Sequence, residues 1–378
     1  MDAASTLEAV RRIAMDFASD RHDRQRRREL DRSDFDALAE AGFLMTGVPV
    51  EDGGLFASPA ESTRPIAEIL RALAHGDSSV ALVASMHPSV LAFWNATPAA
   101  PEPDMAAWRE QRDELAARAT AGHWFGTLTS EPGSGGDIAG TRAAATRTAA
   151  GTWTISGQKH FGSGSGITSF MLTSAVAAGD DRPDWFLLDV RPGEADASRM
   201  NLIAPWDGHG MTATQSHGFQ LQDYPAVRSA WAGHLQDLAG AAGPFVSTLF
   251  LAVILGIVET AVEAAREQLR RRESLRAYEQ VEWSNAEQEA WLIEQAYEGL
   301  LSGIEARSNM GRTSLMAKMA SARLAEDCLR RITRVLGGGT FARHAPFGFW
   351  FEDVRALGFL RPPWGLAYDT IAAGAFDL

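Results

Sequence analysis

The chain has 378 residues, 46% hydrophobic and 22% charged, which suits two or three domains with a large buried core. A formal net charge of -13 excludes a nucleic-acid partner, because phosphates demand a basic surface. The single cysteine, Cys328, excludes an internal disulfide framework and a cysteine-based metal site.

The first region, residues 1–120, reads as helices. Met1 to Asp16 is amphipathic and charged early, unlike a signal peptide, and a cytoplasmic location is expected. Arg21, Arg24, Arg26, Arg27 and Arg28 alternate with Asp20, Asp23, Glu29 and Asp31, the pattern of a solvated helix face. Ser33 starts a helix with apolar Phe35, Leu38, Ala39 and Phe43, and Gly42 stops it. Pro65 to Ala74 repeats the period, and Ser78 to Trp94 is almost wholly apolar. Thr97 to Asp104, with three prolines, reads as a loop.

Residues 121–230 change to a period of two. Thr152–Ser156, Phe170–Val176, Trp185–Val190 and Phe219–Asp223 alternate, punctuated by Gly, Asp and Pro. This predicts an antiparallel β barrel or sandwich. Residues 231–378 return to helix, with long candidates over Phe245–Tyr278, Asn285–Ser308 and Ser314–Leu336, the last stopped by Gly337, Gly338 and Gly339. Leu238 to Val258 carries no charge and is long enough to span a bilayer. It runs on into an amphipathic helix, so the expectation is a buried bundle helix and no membrane. Cys328, spaced with Leu324 and Ile332, belongs to such a core. The fold class expected is α+β: helical domain, β domain, helical bundle.

Among chemical motifs there is no Walker loop, no Gly-x-Gly-x-x-Gly opening a helix, and no His-Glu-x-x-His. His160, His209 and His217 lack metal-ligand spacing. The informative stretch is Phe125 to Asp137, a Gly-rich loop leaving an apolar strand, followed by Trp153 to Gly166. Two strand ends rich in glycine and small hydroxyls can approach a flat ring system and a pyrophosphate. Two plain Gly/Ser turns are the other reading.

Ser130-Glu131-Pro132 with Gly135-Gly136-Asp137 resembles the acyl-CoA dehydrogenase signature Thr-Glu-Pro…Gly-Ser-Asp. Ser156-Gly157-Gln158-Lys159-His160-Phe161-Gly162-Ser163 is similar to that family's Asn-Gly-x-Lys-x-Trp-Ile-Thr/Ser. Phe35 to Phe43, Val48-Pro49, Gly53-Gly54, Gly208 to Thr214, Lys318, Gly337 to Gly339 and Asp353-Val354-Arg355 fit in order, so the resemblance spans nearly the whole chain. It implies the family's three-part fold and FAD as cofactor. Leu128, Thr129, Ser130, Gly135 and Gly136 would line the isoalloxazine edge, with Gly136 replacing the signature serine. Phe161 takes the place of the tryptophan against the ring, and Ser163 that of the hydroxyl near N5. Arg272 falls at the Arg-x-x-Phe position that reaches a neighbouring subunit's FAD, though Leu275 replaces the Phe. A plain exposed arginine is the alternative. Gly337 and Gly338 would approach the dinucleotide's far end. A homodimer or homotetramer is implied.

The resemblance also implies a glutamate base, since the family removes an α-proton while hydride passes to N5. That position is Arg361, in Leu360-Arg361-Pro362-Pro363, and the alternative position on the long bundle helix is Val246. Asp207, Glu352 and Asp369 are the remaining carboxylate candidates by region. Dehydrogenation of an acyl-CoA or carrier-bound acyl group, with an electron-transfer partner, is one expectation. A two-component flavin monooxygenase taking reduced flavin from a reductase and a catalytically silent flavin binder are the others. An arginine at 361 could hold an anionic group, or Pro362 and Pro363 could turn it to solvent.

Overall fold

The computed structural model describes residues 2–97, 104–193 and 197–376. Six helices come first: α1 (Ala3–Ser19), α2 (Arg21–Arg24), α3 (Arg32–Glu40), α4 (Pro59–Ala74), α5 (Ser78–Asn95) and α6 (Met105–Thr120). Side-chain caps fix their starts. Asp31 accepts from the Ser33 amide, Ser58 from Glu61 and Asp77 from Val80, each satisfying an orphan donor of the first turn. Gly42, at φ 86°, turns the chain out of α3. The Thr97–Asp104 loop expectation falls largely outside the described residues.

Seven strands follow: β1 (Phe125–Thr127), β2 (Ala144–Arg147), β3 (Trp153–Gly162), β4 (Phe170–Ala177), β5 (Pro183–Asp189), β6 (Met200–Ala204) and β7 (His217–Arg228). They run β1-β4-β2-β3-β7-β5, and β5 pairs back to β4. Five strands thus close into a barrel, with β1 added on β4 and β6 on β7. The barrel is mixed rather than antiparallel as expected. β4 runs parallel to both β1 and β2, because the β2–β3 hairpin places two strands between β1 and β4 in sequence and β4 then closes against both.

Six α-helices follow among the described residues: α7 (Leu235–Arg270), α8 (Ala277–Glu305), α9 (Gly311–Leu336), α10 (Phe347–Val354), α11 (Ala356–Phe359) and α12 (Trp364–Phe376). The long first helix starts ten residues before Phe245 and stops at Arg270, short of the expected Tyr278. Burial of Leu235, Leu238 and Ala242 outweighs the low propensity of Gly240, Gly243 and Pro244. This helix is long and apolar enough to cross a membrane, but most of that stretch lies inside the protein. It packs against α4, α5, α8 and α9, joining the N-terminal helices and the bundle in one core. Cys328 is buried there.

The arginine cluster is only partly a solvated face. Arg24 is buried and bonds Asp34 of α3 at 2.6 Å and Asp77, the cap of α5, at 2.8 Å. Arg26 and Arg28 stay exposed.

Candidate functional site

The Gly-rich loop leaves β1 beside the end of β3. Its Glu131 is buried and accepts from the Arg142 amide at 2.7 Å, the Ala143 amide at 3.1 Å and Lys159 Nζ at 2.6 Å. The buried Lys159 ammonium also meets Thr141 Oγ1 at 3.0 Å and the Ser174 carbonyl at 2.5 Å. Burial pulls Lys159 down to about 8. Burial would raise Glu131, but the hydrogen bond and charge of Lys159 outweigh it and hold the carboxyl low. With three acceptors around the ammonium the pair is ionic at neutral pH. Glu131 and Lys159 therefore fasten one Gly-rich segment to the other.

That fastening, with the Ser130–His160 backbone bridge, brings Ser130 alongside the end of β3, where Phe161 and then Ser163 follow. Phe161 sits at φ 58° and is 58% exposed. A bulky residue in left-handed conformation is costly, and so is an open aromatic face. Trp206 meets its ring edge-on at 6.1 Å. Ser163, by contrast, is buried, and its Oγ lies 2.9 Å from Ser216 Oγ. Ser216 lies 2.8 Å from Thr214 Oγ1, which donates to the Met211 carbonyl at 2.8 Å. The Met211 amide donates to the buried Asp353 at 2.5 Å, whose other oxygen accepts from Ser78 Oγ. Burial raises Asp353 to about 6, against those two donors.

Arg361 turns inward. Its Nη1 donates to the Gly136 carbonyl at 2.9 Å and its Nη2 to Ser130 Oγ at 3.0 Å. Burial lowers its guanidinium to about 10, opposed by Asp137 and Glu131, so it is charged at neutral pH. Lys318, fully buried, donates to the Leu360 carbonyl and to the Pro362 carbonyl at 2.6 Å, gripping the backbone on both sides of Arg361. Burial lowers Lys318 to about 7. The missing signature serine has a steric cause: a Cβ on Gly136 would sit 2.7 Å from Pro363, and the residue has φ 86°.

The other carboxylate candidates lie elsewhere. Asp207 is exposed beside Arg28, Glu352 bonds Arg355, and Asp369 is exposed. Val246 packs against the core. Glu131 is tied to Lys159, and Asp137 accepts from the Ala139 amide. None of these carboxylates bonds Ser130, Phe161 or Ser163.

Leu128 and Thr129 are buried at the base of the loop. Gly135, at φ 60°, is exposed with open space where a Cβ would point. Arg272, Gly337 and Gly338 form a separate group. Arg272 donates to the Val335 carbonyl at 3.0 Å and the Leu336 carbonyl at 3.1 Å, capping α9 just before Gly337. No hydrogen bond among the described residues joins this group to Ser130, Phe161 or Ser163. A cavity of about 560 Å³ is lined by Arg26, Arg28, His209, Thr333, Thr340 and Arg343, the last three close in sequence to Gly337 and Gly338.

These residues fit a flavin on one side of the barrel. An open aromatic platform, Phe161, stands beside two hydroxyls and a loop whose Gly133, Gly135 and Gly136 all have positive φ. A flat polar ring can approach such a backbone closely. Sequence reading missed Thr214 and Ser216, and also the contact of Arg361 with the loop. Single hydroxyls in a Ser/Thr-rich turn give no signal, and Arg361 lies 225 residues from Gly136.

The model of the acyl-CoA dehydrogenase N-terminal domain matches residues 2–102. The amino sugar nitrososynthase DnmZ of Streptomyces peucetius is 26% identical over 387 residues, covering 94% of this chain and 89% of its own. Among solved structures, a nitrososynthase from Micromonospora carbonacea var. africana superposes with a TM-score of 0.83 at 22% identity, covering 100% of this chain and 97% of its own. FMN-bound TdsC from Paenibacillus sp. A11-2 gives 0.79 at 19% identity, covering 98% and 97%.

Proposed function

We propose that this chain, which has the acyl-CoA dehydrogenase fold, is a flavin-dependent monooxygenase that uses reduced flavin and oxygen on an electron-rich heteroatom. The observation that carries the reading is Arg361. A guanidinium bonded to Ser130 and Gly136 stands at the position that the sequence resemblance assigns to the dehydrogenases' carboxylate base. Dehydrogenation needs that base to take a carbon-bound proton, and an arginine charged at neutral pH cannot accept one. Oxygen insertion needs no base of this kind. It needs a flat ring held against Phe161, anchored by Ser130 and Ser163, with a cation nearby for an anionic reduced ring.

The balanced reaction is reduced flavin plus O₂ plus an amine giving oxidised flavin, a hydroxylamine and water. An amine nitrogen is favoured as the reacting atom because DnmZ is named an amino sugar nitrososynthase, as is the Micromonospora protein a nitrososynthase. A nucleotide-linked amino sugar is the substrate class to try first, since KijD3, at TM-score 0.82, is described in complex with dTDP. The reduced flavin would come from a separate reductase. The cavity lined by Arg26, Arg28, His209 and Arg343 supports FAD over FMN, because its cations suit a diphosphate.

The test uses purified protein, FAD or FMN, NADH and a general flavin reductase in air. An amine substrate should be consumed in proportion to oxygen, with less peroxide released than in its absence. Anaerobic bleaching of bound oxidised flavin by acyl-CoA, without oxygen dependence, would establish the dehydrogenase instead. Neither response would leave a flavin binder without turnover.

A further inference from the structure

We propose that Thr214 and Ser216 are positioning residues that make Ser163 a hydrogen-bond acceptor only, so that the site selects the reduced state of its flavin. This deepens the monooxygenase reading and rests on it for placing the flavin N5 near Ser163.

The number of hydroxyl protons fixes the direction of this chain. A carbonyl carries no hydrogen, so the 2.8 Å contact between Thr214 Oγ1 and the Met211 carbonyl consumes the one proton of Thr214. The 2.8 Å contact between Thr214 and Ser216 must then use the proton of Ser216. The 2.9 Å contact between Ser216 and Ser163 must in turn use the proton of Ser163. Only lone pairs of Ser163 Oγ remain for a ligand. Reversing the chain would leave two oxygens 2.8 Å apart with no hydrogen between them.

The polarity is held from behind. The Met211 carbonyl also accepts from Trp206 Nε1 at 3.0 Å, and the Met211 amide is pinned by Asp353 at 2.5 Å. Met211 itself has φ 49°, so its peptide is fixed in an orientation few residues adopt. Thr214 is fully buried, while Ser216 and Ser163 are 8% and 7% exposed, so water does not readily supply the missing proton.

A flavin's N5 is a bare acceptor when oxidised and carries a hydrogen when reduced. Against an acceptor-only serine, the oxidised ring meets lone pair to lone pair, and the reduced ring gains a hydrogen bond. The mismatch changes the relative affinity of the two states by about tenfold or more, a net hydrogen bond being ~1.4 kcal/mol.

The experiment measures dissociation constants for oxidised and dithionite-reduced FAD and FMN, anaerobically, by absorbance and fluorescence titration of the full chain. Wild type should bind the reduced form at least about tenfold tighter. Thr214→Val, which lacks the first proton acceptor and donor, should lower that preference by about tenfold. Ser216→Ala, which cuts the chain one step nearer, should do the same if Thr214→Val folds poorly. Thr214→Ser, which restores the hydroxyl, should keep the preference. Equal affinities in wild type, or an unchanged ratio in a folded Thr214→Val or Ser216→Ala, overturns the inference while leaving a flavoprotein. Failure of both flavin states to bind overturns the functional reading and the inference with it.

Discussion

Replacing Arg361 by alanine tests the site with the least disturbance to the fold. The side chain makes two charge-assisted hydrogen bonds, to Gly136 O at 2.9 Å and Ser130 Oγ at 3.0 Å. Each is worth ~1.5–3 kcal/mol while the site is closed. The backbone at 361 should stay, because Lys318 holds the carbonyls on both sides, and water can enter the partly buried gap. The global cost is therefore ~1–2 kcal/mol. The cost to the ligand is larger. The Gly135–Gly136 turn loses its tie to the chain, and an anionic reduced ring loses a nearby cation. Combined, ~1.4–2.8 kcal/mol predicts reduced-flavin binding weaker by about ten- to a hundredfold, while the thermal midpoint moves by only a few degrees. Anaerobic titration with dithionite-reduced flavin, beside a thermal melt, gives both numbers. Arg361→Lys should recover little, since one ammonium does not span two acceptors in the guanidinium geometry. Arg361→Glu should not create a dehydrogenase, as it faces Asp137 and Glu131. If Arg361→Ala leaves flavin affinity, oxygen-dependent flavin oxidation and substrate consumption unchanged, the role given to this residue is wrong.

Lys159→Met should destabilise the fold by ~3–5 kcal/mol, because it strands the buried Glu131 carboxylate. The double change with Glu131→Leu should recover part of that in urea unfolding. His87 is buried with Nε2–H on the Leu44 carbonyl at 2.8 Å and Nδ1 accepting from the Phe125 amide, and burial lowers it from 6.5 to about 4. Its folded pKa is depressed, so between pH 6.5 and 4 the unfolded chain binds more protons and stability falls as pH falls. The difference between wild type and His87→Gln should therefore change by ~3 kcal/mol across that window in pH-dependent unfolding. Tyr278, Val281, Trp291 and Leu292 are large apolar residues exposed on α8, which predicts self-association through this helix. Sedimentation at micromolar concentration should show a dimer or larger, Trp291→Asp should weaken it, and a monomeric wild type would refute the role of these residues.

The helical and β periods were legible because burial imposes them: Ile66, Ile69, Leu70 and Leu73 are all buried on one face of α4. β2 and β6 were not, since their mostly exposed residues carry no alternation. The Gly-rich segment was legible as a local motif. Its working parts were less so: Glu131 and Lys159 looked like ligand-loop residues and prove to be a buried brace. The parallel pairing of β4 with β1 and β2 is a matter of topology, which a period of two cannot encode.

The two hydroxyls that face the proposed ring differ because of what stands behind each. Ser130 Oγ accepts from a guanidinium, so its own proton is free to be donated outward. Ser163 Oγ has its proton drawn inward by Ser216 and Thr214 and offers lone pairs. A donor and an acceptor of the same residue type thus flank Phe161, and their identities alone would not distinguish them. The distinction is set by Arg361, 231 residues from Ser130, and by Thr214, 51 positions after Ser163. An exchange of Thr214 for valine leaves every residue that touches the ring in place. A change there in redox-state preference would separate the contacts that bind the ring from the proton arrangement that selects its oxidation state.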